Sequence, residues 1–276
     1  MMKFGVKLLI VFLIGLGAYL YFTQDRTDYH PTVAVDEVSY QESQQPEQMI
    51  TDQGNEAAPT EETAPDFRPQ DSVDLPEESA GANGQEIPLQ FNLAVPFTSQ
   101  APTGNWDMPY QEACEEASSY MVAEYYKGTP SGKIDPNVAD AAILAEVAFE
   151  EDYLGTYLDT TAEQTAGFIG AYFGLHAEVI ENPTVDQIKA EIAAGRPVIV
   201  PAAGRELGNP NFTGIGPLYH MLVIKGYTED QFITNDPGTR NGESYVYDID
   251  VLMNAIGDWN GGDPANGAKR VIFVSP

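Results

Sequence analysis

Cysteine is nearly absent from this chain of 276 residues, which holds a single one, Cys114. One thiol excludes an internal disulfide framework, an iron–sulfur cluster and a cysteine-rich zinc site. Basic residues are also scarce: 13 Lys and Arg stand against 42 Asp and Glu, and the net charge is −29. Because phosphate binding draws on Lys and Arg, this charge argues against a nucleic-acid partner and against electrostatic adhesion to an anionic membrane.

One long apolar run stands at the N-terminus, where residues 4–22 are interrupted only by Lys7. A helix of roughly 20 residues is enough to cross a bilayer. Lys3 and Lys7 favour an N-terminus in the cytoplasm and export of everything that follows. We therefore predict a transmembrane anchor at residues 1–23 and an extracytoplasmic remainder at the cell membrane. A cleavable signal peptide, giving a secreted protein, is the alternative, although no small-x-small cleavage site follows the run.

Residues 24–92 are rich in Gln, Glu, Pro, Ser and Ala, and their only basic residues are Arg26 and Arg68. This composition lacks apolar periodicity and predicts an acidic, disordered linker. From residue 93 onward the composition changes to that of a globular domain, which we place at 93–276. Helical patterns come first there and strand patterns follow, which favours an α+β fold.

The apolar periodicity, capping signals and turn residues of the domain predict four helices and five main strands. The predicted helices are 114–126, 136–149, one capped at Thr160-Thr161-Ala162-Glu163 and ending near 174, and one from Thr184 to Gly195. The predicted strands are 197–202, 219–227, 231–234, 244–247 and 271–274, with a short additional strand at 95–98. Residues 228–230 form a hairpin connection between two of these strands.

Cys114 opens the first of these helices. A free cysteine is often a small buried hydrophobic residue, so a purely structural role is one interpretation of Cys114. The position favours a second interpretation, because a helix N-terminus stabilises a thiolate and leaves backbone N–H donors free. An unpaired thiol in an exported chain also calls for a role.

A thiol nucleophile needs a base, and the chain has only three histidines. His30 lies in the linker, and His176 lies in a connection after a helix, where a structural role suffices. His220 opens an apolar strand, and the hairpin partner of that strand ends at Asp236. In an antiparallel pair these two ends face each other, so we expect Asp236 to be level with His220 and to orient its imidazole.

These segments resemble the C39-like cysteine peptidases. The resemblance lies in Val95-Pro96-Phe97-Thr98-Ser99-Gln100, the cysteine at the start of a helix, the strand from Tyr219 to Tyr227, and Asn235-Asp236-Pro237. It implies a papain-like fold, with an N-terminal helical part packed on an antiparallel sheet. It also implies that Cys114 is the nucleophile, His220 the general base and acid, and Asp236 the orienting group.

The resemblance further implies a glutamine whose amide helps to bind the oxyanion. Gln100 matches by its sequence context, although it precedes Cys114 by more residues than is usual in the family. Gln111 is nearer but has a different context, so Gln100 is the predicted donor and Gln111 the alternative. Glu115 and Glu116 also depart from the family pattern of small residues after the cysteine. We expect them to cap the helix, with a role in lining the substrate groove as the alternative.

The sequence therefore predicts a membrane-anchored, extracytoplasmic cysteine peptidase that acts on a peptide or protein substrate through an acyl-enzyme. This reaction needs no metal and no organic cofactor. Two alternatives stay open, an amidase of cell-wall peptides and a papain-like binding module without turnover. The oligomeric state is not indicated by the sequence.

Overall fold

The structure of the chain, a computed structural model, describes residues 87–276. The predicted anchor at 1–23 and the linker as far as residue 86 lie outside the described residues. Within the described part, no helix combines the length and the apolar character needed to cross a bilayer.

The described residues form an α+β fold of five helices and seven strands, together with three short 3-10 turns at 110–112, 204–207 and 264–266. The helices are α1 (Cys114–Lys127), α2 (Pro136–Leu154), α3 (Ala162–Phe173), α4 (Val185–Ala193) and α5 (Ile249–Ala255). The strands are β1 (Phe91–Asn92), β2 (His176–Glu181), β3 (Val198–Ala203), β4 (Tyr219–Tyr227), β5 (Gln231–Asn235), β6 (Tyr245–Asp248) and β7 (Arg270–Ser275). The predicted α+β class is thus confirmed.

All the strands belong to one antiparallel sheet, in which β2, β7, β3, β4, β5 and β6 follow one another in space. The short strand β1 pairs with the end of β4, where Phe91 lies opposite Tyr227. The last residues of the predicted linker are therefore part of the sheet, and Ile87 packs against the core. The sheet thus includes residues that precede the predicted boundary at 93.

The helix α1 is central to the fold. It packs against β4 on one side and against α2 and α3 on the other. Every residue from Cys114 to Ala123 is buried. The hydroxyl of Ser118 donates to the carbonyl of Met221 at 3.2 Å and ties the helix to the middle of the sheet. Gly128 ends the helix in the left-handed conformation, as the sequence predicts.

Several details differ from the sequence prediction. The helix α3 is capped by Thr161 with Gln164 as its partner, one residue later than the predicted capping box. The helix α2 extends to Leu154, five residues beyond the predicted end. Residues 95–98 contribute only an isolated bridge, between Phe97 and Lys133, instead of a strand. The strand β2 and the short helix α5 were not predicted.

We predict that Gly242→Ala destabilises the fold. A Cβ at this position would lie 1.7 Å from the carbonyl oxygen of Asp236, and a backbone atom cannot move aside as a flexible side chain can. We expect a loss of roughly 1–3 kcal/mol or more, which lowers the Tm of the full chain by about 5–10 °C in a thermal melt.

The matched control is Gly167→Ala, on the exposed face of α3, where the nearest atom to the added Cβ is a side-chain hydroxyl at 3.7 Å. Alanine favours a helix over glycine by about 1 kcal/mol, so this variant should melt at the wild-type temperature or above. Equal melting temperatures for Gly242→Ala and the wild type would contradict the prediction.

Candidate active site

Cys114 is the first residue of α1 and follows a single 3-10 turn at 110–112. The residue before it, Ala113, caps the helix without any side-chain hydrogen bond. The first N–H groups of a helix have no partner inside the helix, so they face the space in front of Cys114. The cysteine side chain is buried, with 6% of its surface exposed.

His220 and Asp236 form a buried pair on the neighbouring strands. The imidazole Nε2 lies 2.7 Å from Asp236 Oδ1. Oδ1 also accepts from the backbone N–H of Gly238 at 2.9 Å. Oδ2 accepts from the hydroxyl of Tyr247 at 2.6 Å and from the amide of Asn209 at 3.0 Å. Burial by itself would raise the pKa of Asp236. The adjacent His220 and the donated hydrogen bonds outweigh it and hold this pKa below its ordinary value.

The predicted register of these two strands was wrong by two residues. The last pair of the ladder is Val223 with Asn235, so Asp236 follows at the level of Leu222. A bulge between Ile224 and Gly226 shifts the pairing. The carboxylate of Asp236 nevertheless reaches the imidazole of His220, beyond the last pair of the ladder.

The imidazole is also held on its other sides. Phe212 meets the ring edge-to-face, with 5.4 Å between the two centroids. A side chain at position 238 would place its Cβ 2.8 Å from His220 Cε1, so only glycine leaves room there. Asp236 occupies Nε2, and Nδ1 makes no hydrogen bond within the described residues. Nδ1 is therefore the nitrogen that is free to exchange a proton.

A cavity of about 770 Å³ brings the predicted residues together. Cys114, His220 and Gln100 all line it, while Asp236 lies behind the imidazole and does not. The segment from Asn211 to Leu218 supplies part of the wall. The sequence did not single out Asn209 and Tyr247, which bind Asp236, because neither has a motif around it.

The thiol of Cys114 donates a hydrogen bond to Glu115 Oε2 at 3.0 Å, and none joins it to His220 within the described residues. Burial, together with the charge of Glu115 and this hydrogen bond, raises the pKa of Cys114 well above its ordinary value. The thiol is therefore protonated in this conformation. Nucleophilic attack requires it to leave Glu115 and to give its proton to a base.

Gln100 lies at the cavity, but its amide protons are not free to bind an oxyanion as predicted. Its Nε2 donates to the carbonyls of Tyr110 and Gln111 at 2.9 and 3.0 Å, which uses both of its protons. Its Oε1 is buried and has no partner in the described residues. In this conformation the amide supports the turn that leads into Cys114 and has no donor left for an oxyanion. Gln111 is exposed and lines the same cavity.

Glu115 and Glu116 do not line the cavity. They are buried in α1, with 1% and 0% of their surfaces exposed, against Glu146 and Glu150 of α2, which are equally buried. Both oxygens of Glu116, Glu146 and Glu150 lack hydrogen-bond partners among the described residues. The alternative that the Glu pair lines the substrate groove was therefore wrong, and helix capping alone does not explain the pair.

These four carboxyl groups remain protonated at a pH where exposed ones ionise. Burial raises the pKa of Glu115 to about 8 and that of Glu150 to about 7. Burial and the neighbouring carboxylates raise the pKa values of Glu116 and Glu146 well above their ordinary value. Within residues 87–276 no group of His, Cys, Asp and Glu side chains is arranged to hold a metal ion.

Thr160 connects the two halves of the site. Its backbone N–H donates to Glu115 Oε1 at 3.1 Å. Its carbonyl accepts from the hydroxyl of Tyr219 at 3.0 Å, and Tyr219 precedes His220 on β4. The same peptide segment thus contacts the neighbour of the cysteine and the neighbour of the histidine.

A buried cysteine at a helix N-terminus that shares a cavity with a histidine–aspartate pair is typical of cysteine hydrolases. A profile of the Peptidase_C39 like family matches residues 92–262, which is more than half of the chain. The chain therefore belongs to this family, as its resemblance to the C39-like peptidases predicted. The family supports a peptidase, and the single cysteine at the site supports the cysteine type.

Among solved structures, a crystal structure from Bacillus anthracis, described as a candidate C39-like peptidase, has a TM-score of 0.46 and 14% sequence identity. The match covers 68% of this chain and 98% of the other. None of the curated proteins matches the chain. The family assignment rests on the profile.

The buried carboxyl groups predict that the fold becomes less stable as the pH rises. Below about pH 4.5 they are protonated in both states. Between that value and the raised native values near 7 and 8, the unfolded chain loses their protons first, so stability is lost across this window. Denaturant unfolding of the full chain between pH 5 and 9 should show this decline.

The isosteric variant Glu150→Gln removes one of these ionisable groups, so its protonation no longer contributes to the pH dependence of stability. It should flatten the decline by roughly 2 kcal/mol between pH 5 and 8. Glu163→Gln, on the exposed face of α3, is the matched control and should leave the slope unchanged. An equal slope in Glu150→Gln and the wild type would show that Glu150 is not protonated in the native state.

The contact between Cys114 and Glu115 predicts the reactivity of the thiol. Above the pKa of about 8, Glu115 carries a charge that opposes a thiolate 3.0 Å away. Glu115→Gln removes this charge and keeps the shape. At pH 9 we therefore expect iodoacetamide to alkylate Cys114 about five- to tenfold faster in the variant, by mass spectrometry. An unchanged or slower rate would contradict this account.

Proposed function

We propose that the protein is a cysteine peptidase in which Cys114 is the nucleophile, His220 the general base and acid, and Asp236 the orienting residue. The observation that carries the proposal is the 2.7 Å pair of His220 Nε2 and Asp236 Oδ1, whose imidazole lines the same cavity as Cys114. The pair fixes which imidazole nitrogen is free, and the cavity gives a peptide access to both reactive groups.

The proposed reaction begins when the thiol turns from Glu115 towards Nδ1 of His220 and transfers its proton. The thiolate attacks the carbonyl carbon of the peptide and forms a tetrahedral oxyanion. The imidazolium then protonates the leaving amine, which departs and leaves a thioester. A water molecule, deprotonated by the same imidazole, hydrolyses the thioester and regenerates the thiol.

Stabilisation of the oxyanion is assigned to the backbone N–H of Cys114 at the start of α1. Such donors act when they lie about 3 Å from the developing charge. Gln100 is the proposed second donor, and this role requires its amide to release the carbonyl of Tyr110 or Gln111. Until then it positions the turn before Cys114.

The cellular setting is part of the same proposal. The apolar run at 4–22 with Lys3 and Lys7 supports a single-pass anchor and an extracytoplasmic peptidase domain. The substrate is a peptide or protein outside the cytoplasm, and the acidic chain makes nucleic acid an unsuitable partner.

A binding module without turnover is the second candidate. The observation that favours it is the hydrogen bond of the Cys114 thiol to Glu115, which holds the thiol in its protonated form. The two candidates differ in whether His220 can activate the thiol, and the next experiment separates them.

The test combines thiol labelling with peptide hydrolysis by the full chain. Iodoacetamide labelling of Cys114 in the native protein should slow in His220→Ala, because the thiolate loses its imidazolium partner. The turnover of a peptide library, followed by mass spectrometry, should disappear in Cys114→Ala and fall about 10²- to 10⁴-fold in His220→Ala.

Tyr153→Phe, on the exposed side of α2, serves as the matched control and should retain wild-type turnover. If Cys114 reacts only in urea and no peptide is cleaved, the chain is a binding module. If purified cell-wall peptides are cleaved and linear peptides are not, it is an amidase of the cell wall.

A further inference from the structure

Two carboxylates of the cavity are unaccounted for by the proposed reaction. Glu112 and Asp159 line the same cavity as Cys114 and are half-buried there. Within the described residues, neither carboxylate accepts a hydrogen bond or forms an ion pair. They lie on the side of the cavity formed by the turn before α1 and the segment before α3.

The two carboxylates repel each other. Burial and the charge of Asp159 raise the pKa of Glu112, and burial raises that of Asp159. Asp159 is also held at a φ of +47°, in the left-handed region that non-glycine residues seldom adopt. Two unpaired like charges in a partly desolvated wall are unfavourable, and either proton uptake or a cation in front of them relieves the repulsion.

A third acceptor belongs to the same wall. Gln100 is 4% exposed and lines the cavity, and its Oε1 has no hydrogen-bond partner within the described residues. In this conformation its two amide protons are donated to the carbonyls of Tyr110 and Gln111, so the amide offers no donor to this wall. We call Gln100, Glu112 and Asp159 the acceptor wall. A wall that offers acceptors alone is complementary to a group rich in donors.

Two further residues of the cavity bear on the charge of this ligand. The indole of Trp106 lines the cavity, and an aromatic face adds to the attraction for an ammonium or guanidinium group. Arg240 lines the cavity too, on the segment that follows Asp236, but it makes no ion pair with Glu112 or Asp159. The protein therefore leaves the acceptor wall without a counterion of its own among the described residues.

We propose that the acceptor wall is a specificity subsite that selects substrates carrying a cationic group, an ammonium or a guanidinium, next to the cleaved bond. Glu112 and Asp159 supply the charge and accept hydrogen bonds from the bound cation, while Gln100 bounds the wall and presents no competing donor in this conformation. This inference rests on the proposed peptidase function, since it concerns which peptides reach Cys114.

The test measures kcat/KM of the full chain for matched fluorogenic peptides. The peptides of one set differ at a single position, and each position flanking the cleaved bond is varied in turn. The scanned residue is Lys, Arg, Gln, norleucine or Glu. A further pair carries a free or an acetylated N-terminal amine, which separates a side-chain cation from an α-amine. We expect Lys or Arg to exceed Gln at least tenfold at one position, and Glu to be the poorest. The preference should weaken as the salt concentration rises.

The variants Glu112→Gln and Asp159→Asn keep the shape of the wall and remove one charge each. Each should reduce the preference for Lys over Gln about three- to tenfold, taken as the ratio of the two kcat/KM values within the same variant. Arg240→Gln is the control within the same cavity and should not lower the preference for Lys. Glu163→Gln is the remote control for a loss of negative charge on the surface.

A second readout separates this inference from the proposed function. Binding of the same peptides to Cys114→Ala, measured by fluorescence anisotropy, needs no turnover. Tighter binding of Lys peptides that depends on Glu112 and Asp159 supports the acceptor wall even if the wild type cleaves nothing. Equal kcat/KM and equal binding for Lys and Gln peptides would overturn it, whether or not the protein is a peptidase.

Discussion

The arrangement of the site depends on the burial of the first ten residues of α1, Cys114–Ala123. A helix enclosed by the sheet and by two other helices cannot rotate or slide, so Cys114 is fixed relative to β4 and to His220. The same enclosure takes the polar residues after the cysteine out of water. Glu115 and Glu116 have no surface to reach, and their proton affinity rises because ionisation in the interior is unfavourable. The rigidity of the nucleophile and the buried acids therefore have one cause.

The sequence predicted the parts of the fold whose signals are local. Capping residues and apolar periodicity located four of the five described helices, and an apolar run followed by Asp236 located the hairpin. The level of Asp236 relative to His220 was wrong because the residues were miscounted from the turn, where Tyr227 pairs with Phe232. The bulge in β4 changes the pairing by one residue and moves Asp236 towards His220, so it does not account for the error. The two-residue strand β1 was missed because Phe91 and Asn92 are ordered only by their pairing with Tyr227 and Gly226.

The site was less predictable than the fold, because its electrostatics depend on which faces are covered. Charged side chains are rarely buried without partners, and nothing in the sequence indicates that Glu146 and Glu150 are. Only the packing of α1 against α2 shows otherwise. The orientation of the Gln100 amide is likewise set by two backbone carbonyls about ten residues away, and nothing in its own context indicates that it donates to them.

Two backbone hydrogen bonds of Thr160, in the loop before α3, link this loop to both reactive groups. Its N–H is anchored to the residue beside the nucleophile, and its carbonyl is anchored to the residue beside the base. Asp159, on the cavity wall, is joined to it by one peptide bond. A ligand that displaces Asp159 therefore strains both hydrogen bonds of Thr160. Binding in the cavity and the position of the Cys114 thiol are coupled for this reason.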